Sequence, residues 1–414
     1  MKISRDTLDY FILESDRLGG PGTPECTAFW KDLVYEPCVP LDAQLNPRSA
    51  EYKHQQLDLY CEITGHSYLD SRDEMTPNIP IDHLLEAPNA YDHSNPSDFA
   101  KHCIAMSLLV QELKLPRGAR ILELGSGWGF TQEFLATCGY NTTGIEISYD
   151  FVRTSNGRLK RLGFGERVVQ GSFESFDHSC LDAFDAVISY EALHHTIDTE
   201  KIMKKYTSCL KPCGFFALAA EPFNDYYSTW GLRLDPYSIY CIRKFGWFES
   251  GWSVEYMAYL FGRCGMNAKF VDAGISEFTR YMIGNLSDER HPYQLGMWRP
   301  DIANGWWSGW DYCSSKGKSQ LLLSCPTNAK GIIIKAVNFN KDKLKISLKL
   351  LDMENNFTVP PGAAELIVDL KATHGGYDEI ILELVSDTFC PAEVGINSDM
   401  RELGIHIESL LWIR

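Results

Sequence analysis

Residues 119–129 read Ala-Arg-Ile-Leu-Glu-Leu-Gly-Ser-Gly-Trp-Gly, an apolar run that breaks into glycine at every second position. Nothing else in the chain limits its fold so tightly. Arg120 to Leu124 suits a strand buried in a parallel sheet. Gly125, Gly127 and Gly129 let the backbone turn sharply and approach a ligand where a Cβ would intrude. The apolar spacing from Trp128 to Cys138 predicts a helix. Strand, tight turn and helix in that order begin a doubly wound α/β sheet, whose ligand crevice opens at the carboxyl ends of its strands.

The residues around the turn narrow the ligand. A dinucleotide fingerprint would place glycine at position 130, where Phe130 stands. Glu123, ahead of the first glycine, would repel a pyrophosphate and attract a cation. Glu146 ends a second strand, read as Thr142 to Ile147, where an acid can accept hydrogen bonds from both ribose hydroxyls. A ribose, a positive charge and no phosphate describe S-adenosyl-L-methionine, with S-adenosyl-L-homocysteine as its product.

With these residues and the landmarks that follow them, the chain resembles the class I S-adenosylmethionine-dependent methyltransferases over roughly residues 97 to 285. The landmarks come in family order: Gly171-Ser172-Phe173 after a third strand, Phe184-Asp-Ala-Val-Ile-Ser-Tyr190 as a fourth, and Leu210-Lys-Pro-Cys-Gly214 before a fifth. Many members carry Asp where this chain has Ser172, so adenine contact here would lean on Phe173. The resemblance implies a Rossmann-like doubly wound methyltransferase sheet of seven strands with the last antiparallel. It implies cofactor contacts from Glu123, Gly125, Ser126, Gly127, Glu146, Ile147, Ser172 and Phe173.

The fourth strand would deliver Tyr190, Glu191, His194 and His195 to the ligand crevice. Methyl transfer from a sulfonium is an in-line displacement, and a hydroxyl acceptor must also lose a proton. An imidazole of ordinary pKa ~6.5 suits that task near neutrality. Methyltransferases similar to this one often carry a histidine at the place of His195, which makes it the candidate base, with Glu191 and Tyr190 lining the acceptor pocket and His194 expected to point elsewhere. Asp198 could orient His195, cap the next helix or join a metal set, but two such residues make no coordination set and no metal is assigned. Glu221, at the end of the fifth strand, could accept hydrogen bonds from acceptor hydroxyls. Residues 226–252, with Tyr226, Tyr227, Trp230, Tyr237, Tyr240, Phe245, Trp247, Phe248 and Trp252, read as an aromatic roof over the acceptor.

The 414 residues divide into an irregular N-terminal extension (1–95) with one helix-like stretch from Ala50 to Ile63, a methyltransferase core (96–290), and a C-terminal β-sandwich (291–414). The extension is read as a lid, an acceptor-binding segment or a structural appendage. Trp298, Trp306, Trp307, Trp310 and Tyr312 crowd the start of the last part, as sugar-stacking faces or interface filling. A formal charge of −16 argues against nucleic-acid acceptors, whose phosphates call for lysine and arginine. The 13 cysteines show no Cys-x-x-Cys pair, and no apolar run approaches the ~20 residues of a membrane span, so a cytoplasmic protein is expected. The stretch Ile242 to Trp252 and the closing phrase Asp399 to Ile405 are similar to sequences in bacterial surface-polysaccharide biosynthesis enzymes, which points to a sugar or glycan acceptor. A different small-molecule, amine or lipid acceptor, and a binding scaffold that keeps the fold without catalysis, stay open at this point.

Overall fold

The computed structural model describes residues 2–75, 81–91, 96–180, 183–223, 229–287, 289–290, 306–309, 312–323, 329–351, 353–370 and 380–413. The chain divides into two compact units, one of Met1–Trp252 with Val271–Tyr281 and one of Ser253–Phe270 with Met282–Arg414.

The N-terminal segment is more helical than its turn-rich sequence suggests. It holds α1 (Leu8–Arg17), α2 (Pro24–Trp30), α3 (Ala50–Thr64), α4 (Asp70–Asp73) and α5 (Ile81–Glu86). Only α3 is legible in the sequence, because it alone is long and capped at both ends. Ser49 Oγ accepts from the Tyr52 N–H at 3.1 Å, and Gly65, at φ 84°, ends the helix in a left-handed conformation. Its buried face includes Gln56, whose Oε1 accepts from the Leu232 N–H at 2.9 Å.

After α6 (Pro96–Leu113) come β1 (Arg120–Leu124), α7 (Phe130–Thr137), β2 (Asn141–Glu146), α8 (Tyr149–Arg161), β3 (Val168–Gln170), β4 (Phe184–Tyr190), α9 (Thr199–Thr207) and β5 (Leu210–Ala219). Then follow β6 (Trp230–Leu232), α10 (Pro236–Phe245), β7 (Ser250–Trp252), α11 (Val254–Arg263), β8 (Met266–Asp272) and β9 (Arg280–Leu286). The main sheet has seven strands in the order β3-β2-β1-β4-β5-β9-β8. The pairs β1/β2, β1/β4, β2/β3 and β4/β5 are parallel. Only residues 273–279 separate β8 from its neighbour β9, too few for a parallel crossover, so these two run antiparallel and the sheet is mixed. Ile121, Leu122 and Leu124 are fully buried, which is why β1 reads as a continuous apolar run. The strand order reverses between β1 and β4, the switch point where such sheets open a crevice.

The C-terminal strands are β10 (Glu289–Arg290), β11 (Trp306–Gly309), β12 (Tyr312–Ser315), β13 (Lys318–Leu323), β14 (Gly331–Asn338), β15 (Leu344–Leu350), β16 (Met353–Val359), β17 (Gly362–Asp369), β18 (Ile380–Ser386) and β19 (His406–Ile413). One antiparallel sheet runs β11-β12-β19-β14-β17, with β10 also on β19, and the other runs β13-β18-β15-β16. Burial alternates along β15 and β18, so each keeps one face covered. Ser315 on β12 and Ser386 on β18 meet at 2.9 Å between their hydroxyl oxygens, which links the two sheets. β16 has no counterpart in the sequence reading, because Met353 to Phe357 is mostly polar. Trp306 is buried and donates its indole N–H to the Gln320 carbonyl at 2.8 Å, so this aromatic is core. Trp298 and Trp310 lie outside the described residues. Among the described residues no helix is long and apolar enough to cross a membrane.

Candidate functional site

At the carboxyl ends of β1, β2, β4 and β5 lies a cavity of ≈ 1270 Å³. Ligand pockets commonly span ~300–1,000 Å³, so there is room for a cofactor and a second molecule. Every residue assigned above to cofactor or catalysis lines it: Glu123, Gly125, Ser126, Gly127, Glu146, Ile147, Ser172, Phe173, Tyr190, Glu191 and His195.

The glycine turn between β1 and α7 needs its glycines for two separate reasons. At Gly125, φ is +78°, and an added Cβ would come within 2.4 Å of the Ala192 Cβ and 3.1 Å of the Phe173 ring. At Gly127, φ is +44° and a Cβ would meet nothing within 4 Å, so there the backbone conformation alone calls for glycine. Glu146, buried at the end of β2, ties the turn together. Its Oε2 accepts from the Gly127 N–H and its Oε1 from the Ser148 N–H, both at 2.8 Å. Burial raises its carboxyl above the ordinary value, with those backbone donors opposing the shift. Glu123 Oε2 accepts from Gln132 Nε2 at 2.7 Å. Burial pushes its carboxyl up to about 7, against that hydrogen bond and with a further push from Glu146. Ser172 Oγ donates to Asp70 Oδ2 at 2.7 Å, a contact from α4 that no local motif announces.

The other half of the cavity is built around strained backbone. Glu191 and Ala220, just past the ends of β4 and β5, hold φ of 50° and 56°. Left-handed non-glycine residues cost about 1–2 kcal/mol each and persist where the surroundings over-determine them. Here the Glu191 N–H donates to the Ala219 carbonyl at 3.1 Å and the Ala220 N–H to that of Arg280 at 3.3 Å. Burial, reinforced by Glu221, Glu249 and Glu277, pushes the Glu191 carboxyl up to about 8. Tyr190 is buried with its hydroxyl 2.7 Å from His102 Nδ1, and burial, then Glu191, raises its phenol. His102 is stacked between Tyr91 and Phe278, each centroid 4.3 Å away, and its Nδ1 lies 3.7 Å from Glu191 Oε2. As one more polar position on α6, His102 gave no sign of this role in the sequence.

His195 stands at this end with Nδ1 3.2 Å from Glu74 Oε2. The approach lacks hydrogen-bond alignment, so Nδ1 is buried without a directed partner. Burial pulls the imidazole pKa down, but Glu74, Glu249 and Glu221 together outweigh it and lift it to about 9. A pKa lifted that far favours the charged imidazole at neutrality.

Two expectations change, and one that was left open is decided. His194 does not point elsewhere: it lines the same cavity, its ring centroid 4.2 Å from that of His195. The reason is Glu221, whose Oε2 takes His194 Nδ1 at 2.8 Å while its Oε1 takes the Ser189 hydroxyl and the Ala192 and Leu193 N–H groups at 2.8–3.0 Å. Burial raises the Glu221 carboxyl, but these donors outweigh it and leave it below the usual range, so Glu221 pins the segment after β4. Asp198 caps α9 by accepting from the Lys201 N–H at 3.3 Å and pairs with Lys53 at 2.6 Å, which removes it from His195. The aromatic roof is mostly core: Trp230, Tyr240, Phe248 and Trp252 are buried away from the cavity, and Tyr237 and Trp247 line it. Tyr226 and Tyr227 lie outside the described residues.

This sheet order, with a glycine turn after β1 and an acid closing β2, defines the class I methyltransferase fold. Residues 122–218 match the family model of a methyltransferase domain, a class that takes its methyl group from S-adenosylmethionine and releases S-adenosylhomocysteine. A ubiquinone biosynthesis O-methyltransferase of Xanthomonas axonopodis pv. citri is 36% identical over 102 residues, 24% of this chain and 41% of that protein. An S-adenosyl-L-methionine-dependent Diels-Alderase of Talaromyces variabilis is 31% identical over 111 residues, 26% of this chain and 37% of that protein. The chain thus spans about two fifths of the length of these curated relatives. The solved structure of an amino pentose methyltransferase from Micromonospora echinaspora aligns with a TM-score of 0.34 at 17% identity, over 45% of this chain and 91% of that one.

Proposed function

We propose that this protein is an S-adenosylmethionine-dependent methyltransferase that O-methylates a sugar or glycan precursor. The observation that carries the reading is the methyltransferase-domain match over residues 122–218, joined to one cavity that collects the glycine turn, Glu123 and Glu146 at one end and Glu191 and His195 at the other. Glu123, Gly125, Ser126, Gly127, Glu146, Ile147, Ser172 and Phe173 hold the cofactor. Glu191, His195, Tyr190 and Tyr237 face the acceptor, a polar set suited to hydroxyl groups. The similarity of Ile242 to Trp252 to enzymes of polysaccharide biosynthesis supports a carbohydrate. Residues 1–95, 96–290 and 291–414 serve as extension, methyltransferase core and accessory β domain.

The cofactor would supply an electrophilic methyl group to the acceptor oxygen and leave as its neutral thioether, and the acceptor's hydroxyl proton passes to His195 or Glu191. Both must first give up a proton, His195 the one that Glu74 favours and Glu191 the one that burial retains, and the positive charge of a bound cofactor would assist that loss.

Calorimetric titration with S-adenosylmethionine and S-adenosylhomocysteine, beside Glu146→Ala, tests the cofactor. Micromolar binding that the variant loses is expected, and no binding to folded wild-type protein would overturn the reading. A panel of nucleotide sugars, amines and small phenols, scored by S-adenosylhomocysteine release, tests the acceptor. Turnover confined to amines or phenols would overturn the carbohydrate assignment alone.

A further inference from the structure

We propose that His194, His195 and Glu249 bind a divalent transition-metal cation beside the acceptor half of the cavity. One ligand atom from each of the three lies within 4.8 Å of the others, and all three residues line the cavity. A tetrahedral ion with bonds of about 2.0–2.1 Å sets its ligands roughly 3.3 Å apart. His194 Nε2 and Glu249 Oε2 already stand 3.6 Å apart, too far for a direct hydrogen bond and close to that spacing. A small rotation of the His195 ring supplies the rest.

The groups behind these side chains suit a metal. His194 Nδ1 faces Glu221 Oε2 at 2.8 Å, and donation to that carboxylate leaves the Nε2 lone pair turned toward Glu249. Glu221 is itself held by Ser189 Oγ at 2.9 Å and the Leu193 N–H at 2.8 Å, so the His194 ring has little freedom. Glu74 stands beside His195, 3.2 Å from its Nδ1 but without hydrogen-bond alignment, and a turn of the ring would bring the two into the same relation. Glu221 and Glu74 are positioning residues in this arrangement. Arg233 Nη1 competes for Glu249 Oε2 at 3.6 Å, and Asp235, 3.2 Å from Arg233 Nε, draws it the other way.

Two imidazoles and one carboxylate select zinc, manganese or iron over magnesium and calcium, which prefer oxygen throughout. Three protein ligands leave positions open, and adjacent hydroxyls of an acceptor fill them. That role for the cation rests on the methyl-transfer reading above, whereas the site does not. With the cation bound, His195 is a ligand and the proton of the acceptor goes to Glu191.

The test is titration of chelator-treated, full-length protein with Zn²⁺ by calorimetry and with Co²⁺ by visible absorption, without cofactor or acceptor. The expected result is one ion per chain, affinity lowered by ~10–100-fold in Glu221→Gln, and binding lost in the His194→Ala/Glu249→Gln pair with circular dichroism unchanged. His54→Ala, at an exposed residue of α3, should bind like wild type. Absence of saturable binding to wild-type protein would overturn the site whether or not the variants fold, as would binding that survives the double substitution. Either result leaves the cofactor titration, and so the methyltransferase reading, untouched.

Discussion

The two ends of the cavity are built by opposite means. The end proposed to hold the cofactor comes from a short stretch of chain: Gly127 lies 19 residues from Glu146, whose carboxylate accepts from the Gly127 N–H in the turn and from the Ser148 N–H just past β2, both at 2.8 Å. The acceptor end is gathered from afar. Glu74 comes from the end of α4, His102 from α6, His195 from beyond β4, and Glu221 and Glu249 from either side of β6. A site made of neighbours in sequence tolerates change elsewhere in the chain, whereas one made of distant segments depends on every element that brings them together. Under the proposed function, acceptor choice is carried by the N-terminal helices and the segment after β5, while cofactor use belongs to the core.

Breaking one end should spare the other. The largest effect is expected at the acceptor end: His195→Ala should lower turnover by ~10²–10⁴ while the affinity for S-adenosylmethionine stays within about threefold. Parallel loss of cofactor binding would make His195 part of the fold. At the cofactor end, Gly125→Ala meets both the Ala192 Cβ at 2.4 Å and a φ of +78°. Its calorimetric affinity for S-adenosylhomocysteine should fall by about 100-fold, through strain and displacement together. Retained affinity would mean that the turn relaxes and that its geometry is not what selects the ligand.

The same contrast governs what could be read from the sequence. Gly125, Gly127, Glu123 and Glu146 were legible because turn chemistry, burial and cofactor charge act on residues near one another. β1 and β4 are legible because their buried runs are largely apolar, whereas the shorter or more polar β2 and β3 are legible from the landmarks beside them. The direction of His194 is not legible, because it is decided by Glu221, 27 residues away in sequence. Glu74 and His102 carried no signal, since an acid after a short helix and a histidine within a long one are common surface residues until the fold brings them to Tyr190 and His195. β16 was missed for a related reason. It lies at the end of its sheet beside β15, and although its burial alternates, Asn355 interrupts the apolar face of Met353, Phe357 and Val359 and hides that alternation in the sequence.

Two smaller effects sharpen the contrast. Tyr190→Phe removes the hydroxyl that meets His102 Nδ1 at 2.7 Å and should cost about threefold to tenfold in turnover with no change in cofactor affinity. A loss above ~10² would instead put the phenol among the groups that handle the acceptor proton.

The last probe is pH at Glu123, which changes no side chain. With its carboxyl pushed up to about 7 by burial, the cavity with no ligand is half protonated there at neutrality. A cationic cofactor pairs with the carboxylate alone, so affinity should rise roughly tenfold from pH 6 to pH 8 and then level off. The same shift acts on stability with a fixed sign. A value raised on folding favours the folded state below the ordinary carboxyl pKa, and that advantage is lost as pH climbs through 7. Cofactor-free protein should therefore melt several degrees lower at pH 8 than at pH 5.5, and saturating cofactor should narrow the gap by supplying the positive charge that Glu123 lacks. A cofactor affinity flat across this range, beside a melting temperature that still falls, would separate Glu123 from the ligand and leave its acidity a property of the buried turn alone.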